Sequence, residues 1–392
     1  MMRGMVAAMA IAASLGILLI AMSSRPFRPA ASAASAASAS GKLAATAPAD
    51  GLGLPPNWPW RGVQLDMSGG DAEVVADIAR DLHANAIRVD LAPRWTMSKY
   101  GCSVQKAWEL NLAWADRVLD ACRRFGVVGI ISYSQYPEDP GAGYIQDDPR
   151  FWESRADREA FMKNVSTVVG RFRGRGDELG GYYFMIEPLE RSGGVKIPDA
   201  WPGMARDIVG AVRRLDGDRH VVMNPGPGGL VGGFRELRPL DDPHVIYSTH
   251  MYMPLEYTHQ GANKETGDFK KYEYPGRVGL KHWDKAALED YLSPVAAFQE
   301  RHGGLVWIGE FSAIRWAPGC ERYLEDCIDV FQSHGWGWSY FGYGGYHGWN
   351  LHYNGRFSTA KDRADTISDG PSARALLLAG KMSVPYPGAE AR

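Results

Sequence analysis

The sequence predicts a (β/α)8 barrel, and three observations carry that prediction. Short apolar runs suited to buried parallel strands alternate with segments whose apolar residues recur every three or four positions. Eight such runs follow one another after about Asn57, each with a helix or room for one behind it. The turn after the first run, Asp66-Met67-Ser68-Gly69-Gly70, lacks the glycine-rich phosphate fingerprint of the competing doubly wound sheet.

Gly62–Leu65 is the first strand, and Val74, Ile78 and Leu82 mark one face of its helix. Ala86–Leu91 is the second, followed by Trp114, Val118, Ala121 and Phe125 and a stop at Gly126. Val127–Ser132 is the third, with Phe161, Val165, Val168 and Phe172 behind it. Tyr182–Ile186 is the fourth, with Met204, Ile208, Val212 and Leu215. Val221–Met223 is the fifth, and only Arg235-Glu236-Leu237 offers it a weak helical segment. Val245–His250, Leu305–Gly309 and Trp336–Phe341 complete the ring. Their helices are marked by Leu288, Leu292 and Val295, by Leu324, Ile328 and Phe331, and by Ala373–Leu378. The polar stretch from Met253 to Trp283 has no helical period. Leaving strand six at the catalytic face of such a barrel, it is expected to be a lid or cleft wall.

Of 392 residues, 45% are hydrophobic and 22% charged, with a formal net charge of −2. That near-balance leaves no basic stripe for nucleic acid. The 13 Trp and 18 Tyr suit cores, and also the faces on which a pyranose packs its axial C–H groups. Residues 1–24 carry Arg3 and an apolar run from Met5 to Met22, as an export signal or a membrane anchor would. The segment 25–56, rich in Ala, Ser and Pro, is expected to be a flexible tether, leaving 57–385 as one barrel domain. The expected location is therefore periplasmic or extracellular, released or held at the membrane. Cys102, Cys122, Cys320 and Cys327 permit one or two disulfides in an exported chain. No Cys/His cluster has metal-ligand spacing, so neither metal nor cofactor is expected.

Two carboxylates carry the chemistry. Glu187 follows the fourth strand and Glu310 the seventh, and a carboxylate at the mouth of a parallel strand is costly to desolvate. Two of them in one cleft suit retaining glycoside hydrolysis. One attacks the anomeric carbon and the other protonates the leaving oxygen, from about 5–5.5 Å away.

In its motifs the chain resembles glycoside hydrolase family 5, the cellulase and mannanase family. The matching segments are Arg61-Gly62-Val63, Asn85-Ala86-Ile87-Arg88, Glu187-Pro188, His250-Met251-Tyr252, Tyr257-Thr258-His259-Gln260-Gly261 and Gly309-Glu310-Phe311. The resemblance implies a cellulase-like endo-glycosidase acting on a β-linked glycan, with Glu310 as nucleophile and Glu187 as acid/base; the alternative reading is a catalytically weakened barrel that binds glycan in exopolysaccharide assembly or export. It also implies that Arg88 holds the nucleophile charged and that Tyr252 is hydrogen-bonded near it, while His250 lines the same floor. Three positions depart from the pattern. Ile186 stands where the family has an asparagine that binds the 2-hydroxyl of the reacting sugar. Ser132-Tyr133-Ser134-Gln135 lacks the usual histidine. In Trp338-Ser339-Tyr340-Phe341 the stacking ring is expected to be Phe341, with Trp338 beside it.

Overall fold

The computed structural model describes residues 53–136, 145–191, 194–262, 271–355 and 368–386. The expected signal or anchor, all but the last four residues of the tether, and residues 263–270 of the loop after strand six lie outside these. Among the described residues no helix is long and apolar enough to cross a membrane.

Eight parallel strands close a barrel: β1 (Arg61–Asp66), β2 (Ala86–Asp90), β3 (Val128–Tyr133), β4 (Leu179–Phe184), β5 (His220–Met223), β6 (Val245–Met251), β9 (Leu305–Phe311) and β10 (Gly337–Tyr340). The short strands β7 (Gly276–Val278) and β8 (Lys281–Trp283) form a separate antiparallel hairpin in the connection after β6. The long amphipathic helices lie where the periodicity puts them: α3 (Val104–Phe125), α5 (Arg155–Phe172), α6 (Trp201–Asp216), α8 (Lys285–His302), α9 (Cys320–Ser333) and α10 (Ala373–Ser383). Before them, α1 (Val74–Arg80) follows β1 and α2 (Pro93–Tyr100) follows β2. Two single turns, α4 (Pro149–Glu153) and α7 (Leu255–Thr258), are too short for a period to reveal.

Several sequence expectations need correction. Strand four ends at Phe184, because Met185 and Glu187 both take φ of 56°, left-handed backbone that no strand accommodates. Strand seven instead runs on to Phe311 and contains Glu310, since a register shift between Thr249 and His250 re-pairs His250 with Glu310. Behind β5 there is no helix at Arg235–Leu237; a single 3-10 turn, Val231–Phe234, precedes it. The stretch after strand six is not structureless, for it holds α7 and the hairpin. The four cysteines are free thiols, three of them buried among apolar side chains. The barrel's contacts begin before Asn57, with His220 Nε2 2.8 Å from the Gly53 carbonyl and Trp60 donating to Pro56.

Two hydrophobic layers result. Alternate residues of each strand point outward into one large core shared with the helices. The others fill the barrel, where Trp60, Ala86, Ile130, Tyr183, Val222 and Trp307 pack together. Trp58, Trp60, Trp307, Tyr183 and His250 follow one another edge to face, with successive ring centroids 5.4, 5.7, 5.9 and 6.3 Å apart. This dry column rises from the base of the barrel to the catalytic end, so the carboxylates above it rest on apolar ground.

Gly62 shows how tightly the seam between β1 and β2 is drawn. A Cβ there would sit 1.7 Å from the Ala86 carbonyl oxygen, and only movement of a barrel strand would relieve it. Gly62→Ala is therefore expected to cost more than about 3 kcal/mol in denaturant-induced unfolding, or to leave the protein insoluble. A variant with an unchanged unfolding midpoint would show that the seam yields.

Candidate active site

At the C-terminal end of the strands a cavity of about 260 Å³ opens over Glu187 and Glu310. The two glutamates reach it differently. Glu310 lies within β9, 1% exposed, between His250 of β6 and the bulged edge of β10. Glu187 lies beyond β4 on the left-handed turn, a conformation that costs about 1–3 kcal/mol and persists only where the surroundings impose it. Gly229 helps to impose it. It has φ of 73°, and a Cβ there would lie 2.9 Å from Glu187 Oε1 and 3.1 Å from the His250 ring. Only glycine leaves that space.

Arg88 organises the floor. Its Nε and Nη2 donate to the two oxygens of Asp90, each at 2.8 Å, while Nη1 donates to Glu310 Oε1 at 2.7 Å and to the Gly309 carbonyl at 3.1 Å. Asp90 is held in turn by Gln64 Nε2 at 3.1 Å and by the Ser132 hydroxyl. Tyr252 donates its hydroxyl to the other Glu310 oxygen at 2.9 Å. His250 Nδ1 lies 2.6 Å from Glu187 Oε1 and 3.7 Å from Glu310 Oε2, and its Nε2 meets the Tyr183 hydroxyl at 3.0 Å.

These contacts drive the two carboxyls apart. Burial pushes Glu310 up, but the charge and hydrogen bond of Arg88, with help from His250 and Tyr252, bring it below the usual carboxylate range. Burial pushes Glu187 up as well. There the negative charge of Glu310 adds to burial, and together they outweigh the pull of His250. One carboxylate is held charged and the other is disposed to keep its proton. Oxygen atoms of the two lie within 4.8 Å of one another, close to the separation that retaining hydrolysis requires.

Glu187, His250 and Glu310 also offer three metal-ligating atoms inside that distance. The donor set suits an ion poorly, because the Arg88 guanidinium already touches Glu310 and would be forced against a second positive charge.

Of the other expected site residues, Phe341 lines the cavity with the Arg88 guanidinium 5.8 Å from its ring centroid. Ile186 lines it too, half-buried beside Glu187, with its N–H donated to Ser134 Oγ at 3.2 Å. Trp338 is not in the site. It points outward from β10 into the helix-covered core, fully buried against Phe311, because side chains alternate along a strand. His259 does not line the cavity either. It is buried between Tyr252 and Trp349, burial brings its pKa down to about 3, and its neighbour Thr258 ties α7 to the Tyr252 carbonyl.

Several lining residues went unread in the sequence. Asp90 follows Arg88 by two positions and Asp66 follows Gln64 by two, so a period-two reading of strand ends finds both. Tyr346 and Trp349 lie beyond the last strand, where no pattern pointed to them. A wider groove of about 580 Å³ opens at the opposite end of the barrel, between Arg123, Arg171, Arg175 and their neighbours. These three arginines are ion-paired with Asp116, Asp120 and Glu178, so that groove carries surface ion pairs and no comparable carboxylate pair.

Over residues 50–347 the chain matches the family model of cellulase (glycosyl hydrolase family 5). Endoglucanase C of Acetivibrio thermocellus is 21% identical over 264 residues, 59% of this chain and 73% of that protein. Cellodextrinase A of Ruminococcus flavefaciens is 21% identical over 228 residues, 56% of this chain and 64% of that one. Among solved structures, endoglucanase Cel5A of Thermotoga maritima has a TM-score of 0.62 at 16% identity, covering 82% of this chain and 96% of its own. Cellulose synthase subunit Z of Clostridioides difficile has a TM-score of 0.59 at 16% identity, covering 84% and 96%.

Removing Arg88 is expected to cost about 3–5 kcal/mol of stability at neutral pH, since Arg88→Ala leaves the buried Glu310 carboxylate without its cation. The loss should shrink in acid. Without Arg88, burial is expected to hold the folded Glu310 carboxyl above its unfolded value, so the variant gains stability as pH falls. The parent meanwhile loses stability as pH falls through the depressed Glu310 value. Denaturant unfolding at neutral and mildly acid pH checks both, and a pH-independent difference would count against the coupling.

Proposed function

Because the chain belongs to glycosyl hydrolase family 5, as the match over residues 50–347 shows, we propose that Glu310 is its nucleophile and Glu187 its acid/base. The protein is a glycoside hydrolase; its natural bond is proposed to be a β-glycosidic linkage within a polysaccharide or oligosaccharide, cleaved with net retention. The single observation that supports this most is the divergent pair: two carboxyls with oxygen atoms within 4.8 Å of one another, one held below the usual carboxylate range and the other pushed above it.

In the first step a Glu310 oxygen bonds to the anomeric carbon as the bond to the leaving oxygen breaks, and Glu187 gives that oxygen its proton. Arg88 and Tyr252 keep Glu310 ionised for the attack. In the second step water adds to the anomeric carbon, passes a proton to Glu187 and frees Glu310. His250 and the Glu187 turn hold the acid/base at its station while its protonation changes twice. The relatives named endoglucanase and cellodextrinase support a β-glucan as the first substrate to try. The basic, apolar and Ala/Ser-rich N-terminal segments support a place outside the cytoplasm, released or tethered to the membrane.

Glu310→Gln is expected to abolish turnover on every substrate. Glu187→Gln should keep appreciable turnover of aryl glycosides, whose leaving groups need little protonation, while losing natural glycans by about 10²–10⁴-fold. Equal residual activity of the two variants on an aryl glycoside would overturn the assignment.

Ile186 bears on the substrate. It sets an apolar face beside the acid/base, where a reacting sugar would present its 2-substituent, and isoleucine can neither donate nor accept. This favours a sugar whose 2-position carries something other than a free hydroxyl, such as an acyl group. Ile186→Asn is expected to raise kcat/KM on plain β-glucan oligosaccharides by about tenfold, the worth of one transition-state hydrogen bond. It should lower kcat/KM on 2-O-acylated ones. Changes below about twofold on both would mean that Ile186 does not meet the sugar.

A further inference from the structure

Inside the barrel, against the carboxyl pair's histidine, lies a buried phenol that takes no part in either step of the reaction. Tyr183 is on β4, fully buried, with its ring edge to face against His250. Its hydroxyl sits 3.0 Å from His250 Nε2, and the opposite ring nitrogen, Nδ1, sits 2.6 Å from Glu187 Oε1. One imidazole therefore joins the phenol to the acid/base. What it does there depends on which nitrogen carries the hydrogen.

The surroundings at both ends of the ring decide that choice. Asn224 Oδ1 accepts from the Gly226 N–H at 2.9 Å, which leaves the amide nitrogen for the phenol oxygen, 3.4 Å away. An amide nitrogen only donates, so the Tyr183 oxygen accepts there and its own hydrogen points elsewhere. Burial pushes the phenol well up, so that hydrogen is kept. Two acceptors are in reach of it, His250 Nε2 and Ser248 Oγ, the latter otherwise unpartnered. A hydroxyl is the weaker acceptor of the two, so the phenol hydrogen belongs to the imidazole. At the other end, Nδ1 faces Glu187 Oε1 and, at 3.7 Å, Glu310 Oε2. Against burial, Arg88 holds Glu310 below the usual carboxylate range, and a negative charge favours hydrogen on the nitrogen that faces it. The packing admits no slack. A Cβ on Gly309 would lie 2.6 Å from Ser248 Oγ and 3.2 Å from both His250 Nε2 and Tyr183 Cε1.

We propose that Tyr183 is a positioning residue for the acid/base: its hydroxyl donates to His250 Nε2 and holds the imidazole as the Nδ1–H tautomer, which donates to Glu187 Oε1. The consequence rests on the role proposed above for Glu187. With Nδ1 as a donor, the imidazole cannot accept the acid's hydrogen, which stays on the other Glu187 oxygen and goes to the leaving oxygen. The same N–H then steadies the carboxylate that remains. In the opposite tautomer Nδ1 is an acceptor, and Glu187 would direct its hydrogen at His250 in place of the glycan.

Nitrogen NMR of the protein isotope-labelled at its ten histidines reads the tautomer directly, with the His250 signals assigned by their loss in His250→Gln. In the parent at neutral pH, Nδ1 should carry the hydrogen and Nε2 should appear as an unprotonated, hydrogen-bonded nitrogen. Hydrogen on Nε2 overturns the proposal, whether or not any variant folds. Kinetics supply a second readout. Tyr183→Phe keeps the ring in the aromatic column and removes only the hydroxyl. Its kcat/KM should fall about tenfold on cello-oligosaccharides, whose leaving oxygen needs the proton, and by less than about twofold on dinitrophenyl β-cellobioside, whose leaving group does not. Equal losses on both substrates, or none on either, would reduce Tyr183 to a packing residue and sink the positioning role. Should the parent turn over neither substrate, the role of Glu187 fails, while the NMR spectrum still decides what Tyr183 does to His250.

Discussion

One guanidinium holds the catalytic end of this barrel together. Arg88 is buried between Asp90 and Glu310, and the desolvation of its charge is offset by donating along both edges of its fork at once. Its position follows from the pleat: Arg88 and Asp90 are two residues apart on β2, so both face inward, and Glu310 reaches the same level from β9 across the barrel. Without the cation, two carboxylates would share a dry floor. With it, one carboxylate can stay charged where burial alone would protonate it. Gln64, Ser132 and Tyr252 complete the remaining hydrogen bonds, so the pair is anchored from four strands or their ends.

The contrast between the two glutamates grows from that arrangement. Glu310 is embedded in a strand, close to Arg88, and cannot move far. Glu187 stands on a strained turn above the aromatic column, with His250 against it and the charge of Glu310 nearby. The Arg88 charge pulls Glu187 down as well, but by less than the Glu310 charge pushes it up. Two groups of the same chemistry are thereby shifted in opposite directions, as the proposed division of labour between nucleophile and acid requires.

The glycan side of the site is less polar than the catalytic side. Ile186, Phe341, Trp95 and Trp349 give the cavity its apolar walls, while Asp66, Gln64 and Ser134 line it with polar groups. Binding surfaces for pyranoses need both, rings for the C–H faces and carboxylates or amides for the hydroxyls. The apolar Ile186 stands immediately before Glu187 on this wall.

Much of this was legible in the sequence, because strand and helix periodicity is a local property. Eight apolar runs with helices between them specify a barrel, and a barrel specifies that carboxylates at the C-terminal ends of strands four and seven meet in one cleft. Arg88, His250, Tyr252 and Phe341 came from the resemblance, through motifs that sit at strand ends. Tertiary structure decided what depends on strand register and backbone sign. Trp338 faces the helices and not the sugar, since one step along a strand reverses a side chain. Glu310 belongs to its strand and Glu187 does not, because a bulge beside His250 extends one ladder while two left-handed residues end the other. The partners Asp90, Tyr183 and Gly229, and the walls built by Trp95, Tyr346 and Trp349, come from segments far apart in the chain. Local sequence determined the elements and the candidate chemistry; only closure of the ring, which brings distant strand ends within hydrogen-bond reach, decided which carboxyl is pulled below its usual range and which is pushed above it.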